Sequence, residues 1–155
     1  MDKAIATALG AGYSPFAPGT AGALVGLLAV WGADVALRWT NPSLGLGPEI
    51  LLILIFVTTG LGVWTSNRLE VEWGKDPSRV VIDEVVGMWI SLLWVPLEWK
   101  YLLIAFFLFR LFDIWKPWHV AKAEQLPGGW GIMMDDVVAG VYSCLVLHLL
   151  LYFGV

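Results

Sequence analysis

The sequence predicts an all-α, polytopic membrane bundle of about five transmembrane or re-entrant helices. Three observations lead there. Hydrophobic residues make up 59% of the 155-residue chain and charged residues only 14%, against about 25% charge in an ordinary soluble domain. Mean hydropathy is +0.77, and a chain this short has too much surface to hide such an excess in a core. The apolar residues also fall into runs of spanning length, separated by proline, glycine and charge. At this length one domain, residues 1–155, is expected.

Residues 1–12 are small and mildly apolar, suited to an interfacial helix. One lysine and one aspartate do not make the basic head of a signal peptide. The loop GYSPFAPGT ends in Thr20, a suitable N-cap. Residues 20–37 form the first span, where Ala21, Gly22, Ala23, Gly26 and Ala29 permit close helix contacts. Residues 50–67 carry no charge and form the second span. Pro77 suits the first turn of a third helix with Asp76 as its cap; residues 77–97 would rise about 31 Å. Residues 101–115 and 132–153 supply the fourth and fifth spans. Residues 127–131 read as a turn, so that Asp135 and Asp136 open the last helix, where acids are electrostatically favoured.

Basic residues orient the chain. With five spans, Lys3, Arg68, Lys75, Arg79, Arg110, Lys116 and Lys122 share one face, and Arg38 and Lys100 the other. The first face, and the N-terminus with it, is therefore expected in the cytoplasm. A four-span form with the first run re-entrant is the alternative. A net charge of −4 without a basic stripe argues against a nucleic-acid partner. Cys144 is the only cysteine, which excludes an intrachain disulfide or a cysteine metal cluster; it reads as a packing residue.

Two charged stretches interrupt this apolar chain: DPSRVVIDEVVG at 76–87 and RLFDIWKPWHVAKAEQLPGGWGIMMDD at 110–136. Helix ends and a loop are expected to join them at one membrane face, where they would bind a divalent metal and a phosphate. On a helix from Pro77, positions 76, 80, 83, 84 and 87 share a broad face, and Arg79 stands four residues before Asp83, in pairing range. Hard divalent ions take several carboxylate oxygens, and magnesium keeps some of its water. Asp83 and Glu84 are therefore candidate ligands; a capped, solvated helix start is the plainer alternative.

Arg110, Asp113 and Lys116 recur every three residues. Unpaired charges inside a membrane segment cost several kcal/mol. Either they form an interfacial ion pair with a snorkelling lysine, or Asp113 serves at a metal or as a base while Arg110 and Lys116 clamp a phosphate. At least one of Asp135 and Asp136 is expected at the metal. Phosphate-binding candidates are Thr20 at a helix N-terminus, Arg79, and the open amides around Gly128 and Gly129. His119 is either a base or a surface residue, and His148 is structural. Trp115, Trp118 and Trp130 are candidates to line a lipid approach.

Four separated motifs resemble the phosphatidylglycerophosphatase A family: SPFAPGTAGAL at 14–24, VIDEVVGMW at 81–89, FRLFDIWKPW at 109–118 and GGWGIMMDDVVAG at 128–140. They stand in the family's order and cover roughly residues 10–140. The resemblance implies a multi-pass enzyme of the bacterial inner membrane with its active site at the cytoplasmic face. It implies removal of the terminal phosphate of phosphatidylglycerophosphate to give phosphatidylglycerol, with Mg2+ as cofactor. Its acidic set maps to Asp83, Glu84, Asp113, Asp135 and Asp136, its basic pair to Arg110 and Lys116, and its N-terminal hydroxyl to Thr20. His119 stands where the family usually has proline.

On this reading water activated by metal and a carboxylate attacks phosphorus; an aspartyl-phosphate on Asp113 or Asp83 is the rival course. The other function class is an ion-coupled transporter or channel, since membrane acids beside glycines also suit ion binding. Clustering of the acids at one face and the lack of an inverted repeat weigh against it. The motifs of histidine-based lipid phosphatases and of CDP-alcohol transferases are absent.

Overall fold

Helix boundaries are set by where each backbone amide finds its partner. In the computed structural model, which describes residues 1–75 and 77–154, every regular element among the described residues is helical. Helix α1 (Asp2–Ala6) leads through a 3₁₀ turn at Ala11–Tyr13 to α2 (Pro18–Thr40) and α3 (Pro48–Trp73). Then come α4 (Ile82–Ser91), α5 (Trp99–Trp115), α6 (His119–Ala123) and α7 (Gly129–Tyr152). Both α2 and α3 begin with proline, whose missing N–H costs nothing in a first turn.

Among the described residues α2, α3 and α7 are long and apolar enough to cross a membrane. Helix α5, with 17 residues, rises about 26 Å. These four helices turn apolar side chains such as Leu28, Phe56, Phe107 and Leu145 outward, as a lipid-facing surface requires. Helix α4 does the opposite. Eight of its ten residues are buried, and it touches α2, α3, α5 and α7. It is the hub of the bundle. A Cβ on Gly140 would lie 2.5 Å from the Gly87 carbonyl oxygen, so α4 and α7 cross backbone against backbone, which only small residues allow.

The expected helix over 77–97 is shorter at both ends. The Val80 N–H closes a turn on the Pro77 carbonyl at 2.9 Å, and the Val81 N–H donates to Ala6 of α1 at 2.8 Å. Val81 keeps a φ of −140°, as suits a β-branched pair, and the helix starts after it. At the far end Trp94 takes a φ of 57°, and Pro96 bars continuation. Asp76, the expected cap, lies outside the described residues. Arg79 consequently sits in the turn before α4. Its guanidinium lies 5.9 Å from the Tyr13 ring and 6.0 Å from that of Trp73, rather than pairing with Asp83.

Two further expectations are corrected. Thr20 is not a cap: Ala17, with φ 44°, precedes Pro18, and Thr20 is the third residue of α2. Asp135 and Asp136 do not open the last helix. Helix α7 begins at Gly129, nearly two turns earlier, because Asn67 of α3 supplies the cap from outside: its Oδ1 accepts the Gly129 N–H at 2.7 Å. The interfacial helix over 1–12 reduces to α1, held to the end of α3 by Lys3–Glu72 and by Arg68–Asp2 at 3.1 Å.

At the end of the bundle where α2 meets α3, Asp34 is buried and fully engaged. Its Oδ2 accepts from Arg38 Nε at 2.7 Å and its Oδ1 from the Leu46 N–H at 2.9 Å. Those bonds tie the α2–α3 connection to the helix. His148 is likewise held within α7, its Nδ1 2.8 Å from the Cys144 carbonyl oxygen.

Candidate active site

The opposite end of the bundle gathers the first turns of α2, α4 and α7 with the last turn of α5. Asp83 and Glu84 leave the first turn of α4, and Asp136 faces them from the second turn of α7. One carboxylate oxygen from each lies within 4.8 Å of the others. Oxygens on opposite sides of an ion bound at about 2.1–2.5 Å stand roughly 4–5 Å apart, so the spacing suits a divalent cation. Asp136 is only 3% and Asp83 9% exposed. Asp83 Oδ1, Glu84 Oε2 and Asp136 Oδ1 are buried without a hydrogen-bond partner among the described residues. Three carboxyl groups this close repel one another in a low-dielectric interior when they are ionised. A hard cation with an oxygen shell answers both the repulsion and the missing bonds.

The basic residues flank this group. Arg110 Nη1 bonds Asp113 Oδ2 one turn along α5, while its Nε is buried without a partner among the described residues. Lys116 ends α5 in the left-handed region at φ 48°. That turn directs its ammonium to Asp135 Oδ2 of α7 at 2.9 Å and to Glu124 Oε1, just after α6, at 3.0 Å. Burial pulls the Lys116 ammonium toward neutrality, but hydrogen bonds to Asp135 and Glu124 outweigh it and raise its pKa above the ordinary lysine value. Lys116 is therefore a fixed positive charge. Asp135 also accepts the Asp136 N–H through Oδ1 at 3.0 Å, which orients the neighbouring acid.

The expected ligand set thus divides. Asp83, Glu84 and Asp136 share one small volume; Asp113 and Asp135 stand beside it, engaged by Arg110 and Lys116. Gly128 and Gly129 serve packing and capping. The Gly129 amide is taken by Asn67, and a Cβ on Gly128 would lie 2.2 Å from Asn67 Oδ1. Trp115 and Trp118 are exposed on either side of Lys116 and Pro117, lining a cavity of about 320 Å³. His119 bonds Tyr142 through Nδ1, which fastens α6 to α7.

Three residues not singled out from the sequence complete the site. A Cβ on Gly19 would lie 2.2 Å from Glu84 Oε1 and 3.2 Å from Arg110 Nη1: α2 brings bare backbone against the acid and the guanidinium, with Thr20 the next residue. The PGT sequence ahead of the first span was its available signal. Asn67, the last uncharged position of the second run, caps α7. Glu124 braces Lys116 and carried no sequence signal.

Fold and site together define a helical membrane protein with a cluster of three carboxylates that could hold a metal ion, near two basic side chains. The particular family follows from comparison with known sequences. The chain belongs to the phosphatidylglycerophosphatase A family, whose profile matches residues 4–151, and this places it among phosphatases. A Bacteroides thetaiotaomicron protein provisionally named a phosphatidylinositol-3-phosphatase is 49% identical over 152 residues, covering 92% of this chain and 89% of that protein. The Escherichia coli phosphatidylglycerophosphatase A is 33% identical, with 93% and 80% covered. The Haemophilus influenzae phosphatidylglycerophosphatase A is 38% identical, with 96% and 87% covered. No solved structure gives a significant match.

Proposed function

We propose that this chain hydrolyses the terminal phosphate monoester of phosphatidylglycerophosphate, releasing phosphatidylglycerol and inorganic phosphate, with Mg2+ as its cofactor. One observation carries the reading: three carboxylates that each offer an oxygen within 4.8 Å of the others, each with a buried oxygen lacking a hydrogen-bond partner among the described residues, near Arg110 and Lys116 in a chain of this family. Asp83, Glu84 and Asp136 would hold the ion, and Asp113 and Asp135 are candidates to join them. Bound there, the ion supplies Lewis acidity and offsets charge on the phosphoryl oxygens.

The chain's own groups do the rest. Lys116, braced by Asp135 and Glu124, and Arg110, braced by Asp113, bind the phosphate oxygens as preset positive charges. The first turn of α2, at Gly19 and Thr20, adds backbone polarity suited to the same anion. Asp113 is the candidate base that would accept a proton from the attacking water. Arg79, in the turn before α4, is a further candidate to meet the headgroup. The outward apolar faces of α2, α3, α5 and α7 would hold the protein, as a single domain, in the bacterial inner membrane. Five passes, counting α4 with the segment after it, put the site and the N-terminus at the cytoplasmic face.

Phosphate release from phosphatidylglycerophosphate by purified protein, with and without Mg2+, tests the reading. Hydrolysis is expected only with the ion and is expected to vanish in Asp83→Asn and Asp136→Asn. Metal-independent turnover, or full activity in both variants, would remove the cation from the mechanism. A second headgroup deserves the same assay. The 49% identity to a protein provisionally named a phosphatidylinositol-3-phosphatase favours phosphatidylinositol 3-phosphate as a parallel substrate.

A further inference from the structure

We propose that the cavity beside Asp135 is a headgroup subsite that recognises hydroxyl groups, so that the enzyme prefers phosphate monoesters carried on a polyhydroxylated headgroup. The inference rests on the lipid-phosphatase reading and deepens it. The cavity measures about 380 Å³ and opens between the end of α3, the α6–α7 connection and the first turns of α7. Small-ligand pockets run from about 300 to 1,000 Å³, so a sugar-sized ring fits.

The lining is rich in acceptors: Glu70, Glu124, Gln125 and Asp135, with Lys75 as the cation. Carboxylates repel a phosphodiester but take hydrogen bonds from hydroxyls. The chemistry of the cavity therefore answers to a polyol. Its position answers to the reaction. Asp135 lines the cavity while bonding Lys116 at 2.9 Å, and Glu124 lines it while bonding Lys116 at 3.0 Å. A phosphate held at Lys116 has its organic substituent beside this space. Glu70 and Gln125 line the cavity and belong neither to the Lys116 ion pairs nor to the three clustered carboxylates. They are the specificity-determining residues of the subsite.

The test uses the purified full chain with Mg2+ and three lipids of identical acyl chains in mixed micelles. Phosphatidate offers no headgroup hydroxyl, phosphatidylglycerophosphate a single one, and phosphatidylinositol 3-phosphate several. The value of kcat/KM is expected to rise along that series. Glu70→Ala and Gln125→Ala are each expected to lower it for the inositol lipid about tenfold, mainly through KM, the loss that goes with one hydrogen bond to a charged or strongly polar group. Phosphatidate turnover and the thermal unfolding midpoint are expected to stay unchanged, the latter showing that the variants fold. Equal losses on all three lipids, or no loss on any, would overturn the subsite and leave the phosphatase reading intact. Failure of the unaltered chain to release phosphate from any of them would instead bring down that reading and the subsite with it.

Discussion

Asp34 and Asp136 are both buried carboxylates in long apolar helices, 5% and 3% exposed, yet the protein treats them in opposite ways. Asp34 has each oxygen bonded, one to a guanidinium and one to a backbone N–H. Asp136 has a buried oxygen with no bond among the described residues and two other acids beside it. The first arrangement is complete without help and holds a connection in place. The second crowds acids whose ionised forms repel one another and could be relieved by a cation. Burial of an acid therefore does not mark function in this fold; incomplete satisfaction of several acids together does.

The largest effect should come from neutralising the incomplete site. Asp136→Asn is expected to lower phosphatase activity about 10³-fold or more, the scale of losing a preorganised electrostatic group. Without divalent ion its stability should stay level or rise, because a like charge is removed from a buried cluster. Mg2+ should raise the melting temperature of the unaltered protein, since an ion bound only by the native state stabilises it, and should do so far less in the variant. A variant that melts early and keeps its activity would invert the comparison.

Gly19→Ala comes next. Its Cβ would intrude 2.2 Å from Glu84 Oε1, and displacement of Glu84 and Arg110 should cost about 10–100-fold in activity, as small misplacements at a reacting centre do. Alanine favours helix over glycine by about 1 kcal/mol, so stability should not fall. Unchanged turnover would mean that α2 does not shape the site.

Asp34→Ala should show the mirror image. It leaves the Leu46 N–H and Arg38 without their partner, and the expected loss is about 1–3 kcal/mol of stability, read by denaturant or thermal unfolding. Turnover per folded molecule should be kept. The smallest effect belongs to Asn67→Ala, which removes the cap of α7 at about 1 kcal/mol; Asn67→Asp keeps an acceptor oxygen and should melt close to the unaltered protein. Equal destabilisation by both substitutions would show that the cap bond contributes little.

Much of this was legible beforehand because it depends on local pattern. Apolar runs located α2, α3, α5 and α7, and charge amid apolar sequence pointed to Asp83, Glu84, Arg110, Asp113, Lys116, Asp135 and Asp136. The shortening of α4 was not legible, because the bond that ends its helical backbone joins Val81 to Ala6, far apart in the chain. The start of α7 was hidden for the same reason: its cap is Asn67 from another helix. Gly19 could not be weighed because a missing side chain matters only when a neighbour's position is known. Glu124 was silent because its partner, Lys116, reaches it only through the left-handed turn that closes α5.

By itself the sequence determined that the chain is helical, that it belongs in a lipid bilayer, and which acids and bases are available for chemistry; composition and period decide these through the solvent each side chain prefers. Only the tertiary structure decided that Asp83, Glu84 and Asp136 meet while Asp113 and Asp135 are drawn aside by Arg110 and Lys116. Which charges pair and which stay unpaired depends on distances of a few ångström between separate helices, and electrostatic energy inside a protein changes steeply over that range.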